Sequence, residues 1–340
     1  MKILIAPDSF KGTMTSAEAA FFIEGQLHSW FPDAEMIHLP IGDGGEGTSK
    51  AIESALASTH EITEVECGTF DPLRRPVKAR YSILKKQGEV PFAIIESAAA
   101  SGLTLIRNKE RDVFKTDSYG TGVLIADAIN RNVNEIYVCM GGTATCDAGL
   151  GAYRAILSHV SPRKEEAGKS LNITLLCDVK TPLCGAGGAA YIFGPQKGAT
   201  PSQLPKLDKR LAEICSFYAE TGGKNIAHCE FSGAAGGLAG MLMALYGAIP
   251  VSGIDKVLEL VGFSNYLSDV DLVVTGEGRA DASTLEGKAA SGILDAVKSY
   301  NASHKSSIPV LLMPGCFDET AIMKLEQRGF VLNIKNLNKF

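Results

Sequence analysis

Short apolar runs, each followed by a glycine-rich polar loop, recur along the chain and predict its secondary structure. Runs of this length bounded by turn residues are typical of buried strands. The first run covers residues 2–6. Its loop at residues 7–12 leads into a helix that Thr15 and Glu18 begin with a capping box. Repetition of this strand–loop–helix unit predicts an α/β fold.

The two ends of the chain share this unit, whereas the middle has a different pattern. Further strands of the first kind are predicted at residues 36–39, 135–140, 171–177, 272–274, 309–313 and 330–334. Alternating segments, which indicate antiparallel strands, occur at residues 62–66, 77–81 and 92–96. Helices are expected at residues 118–130, 206–218 and 233–246, and from Ser49, Ala289 and Asp318 onward.

This arrangement predicts a discontinuous α/β domain, whose parallel sheet is built from residues 1–60 and 265–340. A second, mixed α/β domain of residues 61–264 is inserted into it. Ligands of open α/β sheets bind outside the carboxyl ends of the strands. We therefore expect the active site in the cleft between the two domains.

The loop after the strand at 272–274 has charges of both signs beside glycines, whose backbone can approach a ligand closely. Its candidate residues are Gly276, Glu277, Arg279, Asp281 and Lys288. A solvated connecting loop would also contain such residues, so this loop alone leaves both readings open. Similar loops elsewhere in the chain favour a ligand site.

Other loops repeat this combination of glycines, carboxylates and single lysines. Backbone N–H groups and hydroxyls in such loops can hold an oxyanion, and paired carboxylates suit a hydroxyl-bearing substrate or Mg²⁺. Lys11 also lies near a helix start, where free N–H groups favour an anion. In chain order the further candidates are Asp8, Ser9, Lys11, Asp43, Gly44, Gly45, Glu46, Gly47, Gly141, Gly142, Thr143, Asp178 and Lys197.

Composition and charge narrow the classes of partner. The 340-residue chain is 45% hydrophobic and 21% charged, as in soluble globular proteins, and its net charge is −5. No block of lysine and arginine stands out, which argues against nucleic acid as the main partner. No apolar run is long enough to cross a membrane, and no signal peptide precedes the first strand, so a cytoplasmic protein is expected. The eight cysteines contain no CxxC pair, which favours buried reduced thiols over zinc or disulfides.

The loops lack the signatures of several other enzyme classes. The chain has neither a Walker A motif nor a serine nucleophile elbow. Gly185, Gly187 and Ala190 match only a relaxed dinucleotide fingerprint, so a dehydrogenase is a distant alternative. Anion-binding backbone, a few lysines and several carboxylates match phosphoryl transfer, in which positioning and charge neutralisation carry most of the catalysis.

A series of motifs along nearly the whole chain resembles the bacterial type-1 glycerate kinase (glycerate 2-kinase) family, in the family's order. The motifs read IAPDSFKGTMT, PIGDGGEGT, SYGTG, GGTATCDAG, CDVKTPLCG, FGPQKGA, GAAGG and TGEGRADASTLEGKA. The resemblance implies a two-domain α/β fold, in which the discontinuous domain is Rossmann-like with three layers. It also implies ATP-dependent phosphorylation of D-glycerate, with Mg²⁺ bound alongside the nucleotide. It implies transfer usually to the 2-hydroxyl, giving 2-phosphoglycerate, with 3-phosphoglycerate as the alternative product.

For this reaction we hypothesise a set of contacts to glycerate. Arg279 with Lys11 holds the carboxylate, since a cation beside glycine backbone suits it. Asp8 and Ser9 contact the hydroxyls. Glu46 and Asp178 are further candidates for contacts to the substrate.

A second set of residues is assigned to ATP and Mg²⁺. Lys288, as a catalytic residue, holds phosphates together with loop N–H groups. Asp43 and Asp281 serve as general base and Mg²⁺ ligand, in an order that is left open. The nucleotide contacts are Gly44, Gly45, Gly47, Gly141, Gly142, Thr143, Lys197, Gly276 and Glu277.

The chain departs from the family's usual motifs at Gly42, Cys146, Ala148, Thr181 and Ser283. The residues at 146, 181 and 283 replace amide side chains that could bind a ligand. Two further functions therefore stay open. One is a kinase of a related hydroxy acid, such as a longer aldonate, and the other is a sensor that binds ATP or a hydroxy acid without turnover. A homodimer is also an open expectation.

Overall fold

The structure, a computed structural model, describes residues 1–10, 12–160, 171–285 and 288–332. Lys11, a predicted catalytic residue, lies outside the described residues, as does the end of the strand predicted at 330–334. Within the described ranges, no helix combines the length and the apolar character needed to cross a membrane.

Strands and helices alternate along most of the chain. The strands are β1 Lys2–Ile5, β2 Glu35–His38, β3 Glu61–Phe70, β4 Pro76–Lys85, β5 Phe92–Glu96, β6 Glu135–Cys139, β7 Asn172–Cys177, β8 Ile249–Ser252, β9 Leu272–Thr275, β10 Arg279–Ala280, β11 Val310–Leu312 and β12 Cys316–Phe317. The α-helices are Ser16–Leu27, Thr48–Leu56, Ala98–Ser101, Tyr119–Asn130, Leu150–His159, Ala189–Phe193, Leu204–Glu220, Leu238–Tyr246, Gly253–Leu260, Phe263–Tyr266, Ala289–His304 and Ile322–Arg328.

The chain forms two compact units. Unit 1 is made of the described residues within 1–43, 50–58 and 252–340. Unit 2 is made of those within 44–49 and 59–251. Each unit has its own sheet and its own cluster of buried apolar side chains.

A parallel sheet in the order β11-β9-β1-β2 forms the centre of unit 1. Ile3 pairs in register with Met36 on β2 and with Leu272 on β9, and β9 pairs with β11 in the same direction. Residues 3–6 are all fully buried, as expected when both faces of a parallel sheet are covered. The predicted α/β class, with a parallel sheet built from both chain ends, is therefore confirmed.

The helix Ser16–Leu27 covers this sheet with an apolar face. Ile23 and Leu27 pack in the same cluster as Ile3 and Ile5. The predicted capping box is present: Glu18 N donates to Thr15 Oγ1 at 3.2 Å, and Thr15 N donates to the Glu18 carboxylate at 2.8 Å. These bonds satisfy N–H groups that the first helical turn leaves without partners.

Unit 2 contains a mixed sheet in the order β3-β4-β5-β6-β7-β8. β3 pairs with β4, and β4 with β5, in antiparallel fashion. β5, β6 and β7 then run parallel. The alternating segments of β3 and β4 therefore form antiparallel strands as predicted, whereas the third, β5, is antiparallel to β4 and parallel to β6. The burial of β5 does not alternate, as expected for a strand inside a sheet with both faces covered.

The helix predicted at 233–246 begins later, at Leu238. Ala235, Gly236 and Gly237 have positive φ angles of 52°, 66° and 94°, so this stretch turns with left-handed backbone instead of entering a helix. The glycines allow a close approach: a Cβ on Gly236 would lie 2.0 Å from the carbonyl oxygen of Thr145.

The helix predicted from Asp318 also begins later, at Ile322. The carboxylate of Asp318 accepts hydrogen bonds from the N–H and the hydroxyl of Thr320, at 3.0 and 2.7 Å. These local bonds favour a turn over a helix. Beyond the helix, Val331 pairs with Leu311 as an isolated parallel bridge.

All eight cysteines lie in the described residues and are thiols without a disulfide bond, in agreement with the predicted reduced state. The prediction of burial is wrong for Cys229 and Cys316, which are exposed. Cys316 lies on the two-residue strand β12, whose partner is the equally short β10, so there is little structure to cover it.

We expect Gly236→Ala to lower the free energy of unfolding of unit 2 by about 2–5 kcal/mol. A left-handed alanine costs about 1–2 kcal/mol, and overpacking against Thr145 adds about 1–3 kcal/mol. The matched control is Gly68→Ala, on the exposed side of β3, where an added Cβ meets nothing within 4 Å. That control should leave stability unchanged or raise it. Urea unfolding followed by circular dichroism measures both, and equal effects would contradict the steric argument.

Candidate active site

A cavity of about 340 Å³ lies in unit 1, at the carboxyl ends of β1 and β9. The loop after β1 and the loop after β9 both contribute to it, because neighbouring parallel strands end at the same edge of a sheet. It is lined by Asp8, Ser9, Thr13, Glu277, Gly278, Arg279, Asp281 and Lys288. The structure thus brings together six residues predicted from two distant parts of the sequence.

Backbone hydrogen bonds fix the loop that follows β9. Met313 N donates to Thr275 O at 2.8 Å, and Gly315 N donates to Glu277 O at 2.9 Å. Asp8 N donates to Gly276 O at 2.9 Å, which ties the two lining loops to each other. A Cβ on Gly276 would lie 2.4 Å from Met313 O, so this glycine permits the close approach of two chain segments.

Ser283 links an acid and a base at the cavity. Its hydroxyl donates to Asp281 Oδ1 at 2.5 Å and accepts from Lys288 Nζ at 2.6 Å. Its backbone N–H donates to the same carboxylate oxygen at 2.8 Å. The Ser283 hydroxyl, then its N–H, lower the pKa of Asp281 below its ordinary value. Asp281 therefore stays ionised at neutral pH.

Arg279 already has an acidic partner. Its Nη2 donates to Asp318 Oδ2 at 2.9 Å, while its Nε lies 4.0 Å from Asp281 Oδ2. The Thr320 hydroxyl, followed by Arg279, lowers the pKa of Asp318 to about 2. The predicted role of Arg279 as a carboxylate clamp would therefore require it to share its guanidinium with Asp318.

A second, smaller cavity of about 170 Å³ lies in unit 2, at the carboxyl ends of β6 and β7. Lys197 reaches it from a short 3₁₀ turn, Pro195–Lys197, and its side chain is buried. Five of the cavity's eleven lining residues were predicted from sequence: Gly141, Gly142, Thr143, Asp178 and Lys197. The other six are Leu103, Met140, Val179, Phe193, Gln196 and Ala235.

The loop at 40–48 lines neither cavity. Asp43 is buried, with 3% of its surface exposed. Gly44 has a φ of 97°, and a Cβ there would lie 2.7 Å from Leu176 O. Gly47 N donates to Glu96 Oε1 at 3.0 Å, so this N–H, which was predicted to hold a phosphate, already has an acceptor. The remaining candidates of this loop, Gly45 and Glu46, are likewise absent from both linings.

Comparisons with known proteins bear on what these cavities do. The family model described as the glycerate kinase family matches residues 3–167 and 157–339. This chain belongs to the glycerate kinase family. Membership confirms the kinase class that the motifs predicted.

Individual members of the glycerate kinase family resemble the chain over most of its length. A glycerate kinase of Haemophilus influenzae is 36% identical, covering 94% of this chain and 87% of that protein. The glycerate 2-kinase of Escherichia coli K12 is 36% identical, covering 88% of this chain and 83% of that protein. A crystal structure of a predicted glycerate kinase 2 from Salmonella typhimurium LT2 is 33% identical, with a TM-score of 0.75 over 97% of this chain and 94% of that one.

Sequence reasoning on this glycerate kinase family member assigned no role to two lining residues, Thr13 and Gly278. Ser283, which bonds to the lining side chains of Asp281 and Lys288, was noted only as a departure from the usual motif. An aspartate followed two positions later by serine is typical of a local turn in which the carboxylate accepts from the serine backbone. The order Asp281-Ala282-Ser283 carried that signal.

We expect Ser283→Ala to raise the pKa of Asp281 toward its ordinary value and to leave that of Asp318 unchanged. Thr320→Ala should do the reverse, raising the pKa of Asp318 from about 2. Carbon-13 NMR titration of the aspartate carboxyl groups measures both. The assignments would be contradicted if neither substitution changed a pKa, or if each substitution changed the pKa of both aspartates.

The same bonds set a pH window for stability. Each carboxyl has a lower pKa in the folded protein than in the unfolded chain, where aspartate titrates near pH ~3.9. The stabilisation is therefore fully present above that pH and is lost as pH falls through the folded pKa. The stability difference between wild type and each variant should shrink accordingly below about pH 4.

Proposed function

We propose that this protein catalyses the ATP-dependent phosphorylation of D-glycerate to 2-phosphoglycerate, with 3-phosphoglycerate as the alternative product. The observation that carries the proposal is the unit 1 cavity, which Asp8, Glu277, Asp281 and Lys288 line together in a member of the glycerate kinase family. The name of the Escherichia coli relative, glycerate 2-kinase, supports transfer to the 2-hydroxyl.

Lys288 is assigned to the phosphates of ATP. It occupies the N-cap position of the helix Ala289–His304, so a phosphate beside it would also meet the free N–H groups and the positive end of the helix dipole. Its bond to the Ser283 hydroxyl holds the ammonium group in place before a ligand arrives.

The lining of this cavity fits Mg²⁺ that arrives with a nucleotide. No three His, Cys, Asp or Glu side chains in the described part of the chain are grouped to hold a metal alone. Magnesium in kinases is normally held by one or two carboxylates together with substrate phosphates. Asp281, with its lowered pKa, and the carboxylate of Asp8 would hold the ion. When bound, Mg²⁺ neutralises charge on the phosphates.

The chemistry transfers one phosphoryl group. The hydroxyl oxygen of glycerate bonds to the γ-phosphorus, the bond from that phosphorus to the ADP oxygen breaks, and the hydroxyl proton passes to a carboxylate. Asp281 is a weak proton acceptor because its pKa is lowered, so we assign it to the metal and leave the proton to another carboxylate. Since ATP is consumed, the proposal includes a cytoplasmic location.

We expect Lys288→Ala to raise the KM for ATP or lower kcat by at least about tenfold, because the substitution removes one charged hydrogen bond to the nucleotide. The matched control is Lys324→Ala, which removes an exposed lysine from the helix Ile322–Arg328 of the same unit. Steady-state kinetics with varied ATP measure both variants. Wild-type constants for Lys288→Ala would remove this residue from the site.

The test of the proposed function is a coupled ADP-release assay with Mg-ATP and D-glycerate, with phosphorus NMR of the product. We expect turnover and the signal of a 2-phosphate. Turnover with a longer aldonate in place of glycerate would overturn the substrate assignment. ATP binding by folded protein without turnover of any acid would overturn the kinase activity and indicate a sensor.

A further inference from the structure

Lys197 is a buried cation that has no acidic partner among the described residues. Its side chain is 3% exposed. Its Nζ donates to Thr143 Oγ1 at 3.0 Å and to Thr145 O at 2.8 Å, and it forms no ion pair with a carboxylate in the described chain. An ammonium group has three donors, so one remains for a ligand.

The buried carboxylate of Asp147 is not the ion-pair partner of Lys197. Its oxygens accept hydrogen bonds from the N–H and hydroxyl of Ser118 and from the N–H groups of Gly149 and Gly151, at 2.9 to 3.2 Å. Burial lowers the pKa of Lys197, whereas the charges of Cys146 and then of Asp147 raise it by smaller amounts. Keeping such a charge is costly for stability, which is typical of a residue retained for binding.

The backbone around Lys197 is fixed. Gly198 follows it with a φ of 97°, and a Cβ there would lie 2.4 Å from Arg111 O. Arg111 Nη1 donates to Gln196 O at 3.0 Å. The ring of Phe193 has its centroid 5.7 Å from Nζ. The ammonium group is therefore held in place at the cavity wall.

The cavity offers further donors. Gly142 and Thr143 line it, and their backbone N–H groups donate to no acceptor among the described residues. Gly142 has a φ of 76°, so the loop turns there with a conformation that few other residues adopt. Leu103, Met140 and Val179 make the rest of the wall largely apolar. A low-dielectric wall strengthens the attraction between a buried cation and an anion.

We propose that the unit 2 cavity binds the acceptor acid, with Lys197 as the counter-ion of its carboxylate and Asp178 as the acceptor for one of its hydroxyls. The inference rests on the proposed glycerate kinase function. It departs from two predictions, that Lys197 contacts the nucleotide and that Arg279 with Lys11 holds the carboxylate of the acid.

Size and charge favour a small hydroxy acid over a nucleotide. Pockets for drug-sized ligands are about 300–1,000 Å³, whereas this cavity has about 170 Å³, which suits a three-carbon acid. Lys197 supplies one positive charge, and Asp178 in the lining supplies a negative one. The ammonium group of Lys197 can pair with the single carboxylate of such an acid while Asp178 accepts from a hydroxyl, whereas a triphosphate would leave several negative charges uncompensated.

The first test compares Lys197→Met with Lys206→Met, which removes an exposed lysine from the helix Leu204–Glu220 of the same unit. Lys197→Met keeps the length of the side chain and removes its charge. We expect its KM for D-glycerate to rise at least about tenfold, the loss of a charged hydrogen bond, with the KM for ATP within twofold of wild type. A rise in the KM for ATP instead, or no change in either constant, would overturn the proposal.

The second test does not depend on the folding of that variant. Wild-type protein with ¹³C-labelled lysine is titrated with D-glycerate and separately with Mg-ADP, and the Lys197 signal is assigned from its loss in Lys197→Arg. We expect the signal to shift with D-glycerate and not with Mg-ADP. A shift with Mg-ADP alone, or with neither, would overturn the proposal.

Asp178→Asn provides an independent check of the hydroxyl contact. We expect it to weaken D-glycerate binding in the same titration while binding of propionate, which lacks hydroxyls, stays unchanged. Equal weakening of both acids would overturn the role of Asp178.

Failure of this inference is distinguishable from failure of the proposed function. Turnover of D-glycerate with an unmoved Lys197 signal would refute the acid pocket alone. If D-glycerate shifted the Lys197 signal but were not turned over, the acid-binding pocket would be supported and the kinase activity refuted.

Discussion

The parallel pairing of β1 with β9 is the interaction on which unit 1 depends. Ala6 N donates to Val274 O at 2.8 Å, and Asp8 N donates to Gly276 O at 2.9 Å, so the ladder continues past the strands into the loops. Two segments far apart in sequence therefore end at one edge of the sheet. Asp8 takes its position from this edge directly, and Glu277, Arg279 and Asp281 take theirs through the loop of residues 276–281, which hydrogen bonds from Met313 and Gly315 fix.

Sequence reasoning succeeded where a short-range pattern determines the structure. The apolar runs predicted the parallel strands, and the switch to alternation predicted the antiparallel pairs β3-β4 and β4-β5. The capping box of Thr15 and Glu18 is a contact between residues three positions apart, which a sequence shows directly. Asp8 and Asp281 could be placed together because the carboxyl ends of adjacent parallel strands must coincide.

The remaining features depend on contacts between loops, which no local pattern reveals. Arg279 pairs with Asp318, 39 positions away, and Gly47 donates to Glu96, 49 positions away. In the sequence, Lys197 cannot be distinguished from any other lysine beside a glycine. Its burial follows only from the packing of the turn that contains it. Left-handed backbone before Leu238 likewise arises from close approach to Thr145, whereas its sequence of alanines and glycines resembles a helix.

The discontinuity of unit 1 has a consequence for synthesis. Residues 59–251 of unit 2 form one continuous stretch, and they leave the ribosome before β9 and β11 exist. At about 5–20 residues per second, the interval between β1 and β11 is on the order of tens of seconds. During that time β1 has an unpaired edge made of buried-type residues, which is a template for aggregation. The nascent N-terminal segment therefore keeps this edge exposed until synthesis of the chain is nearly complete.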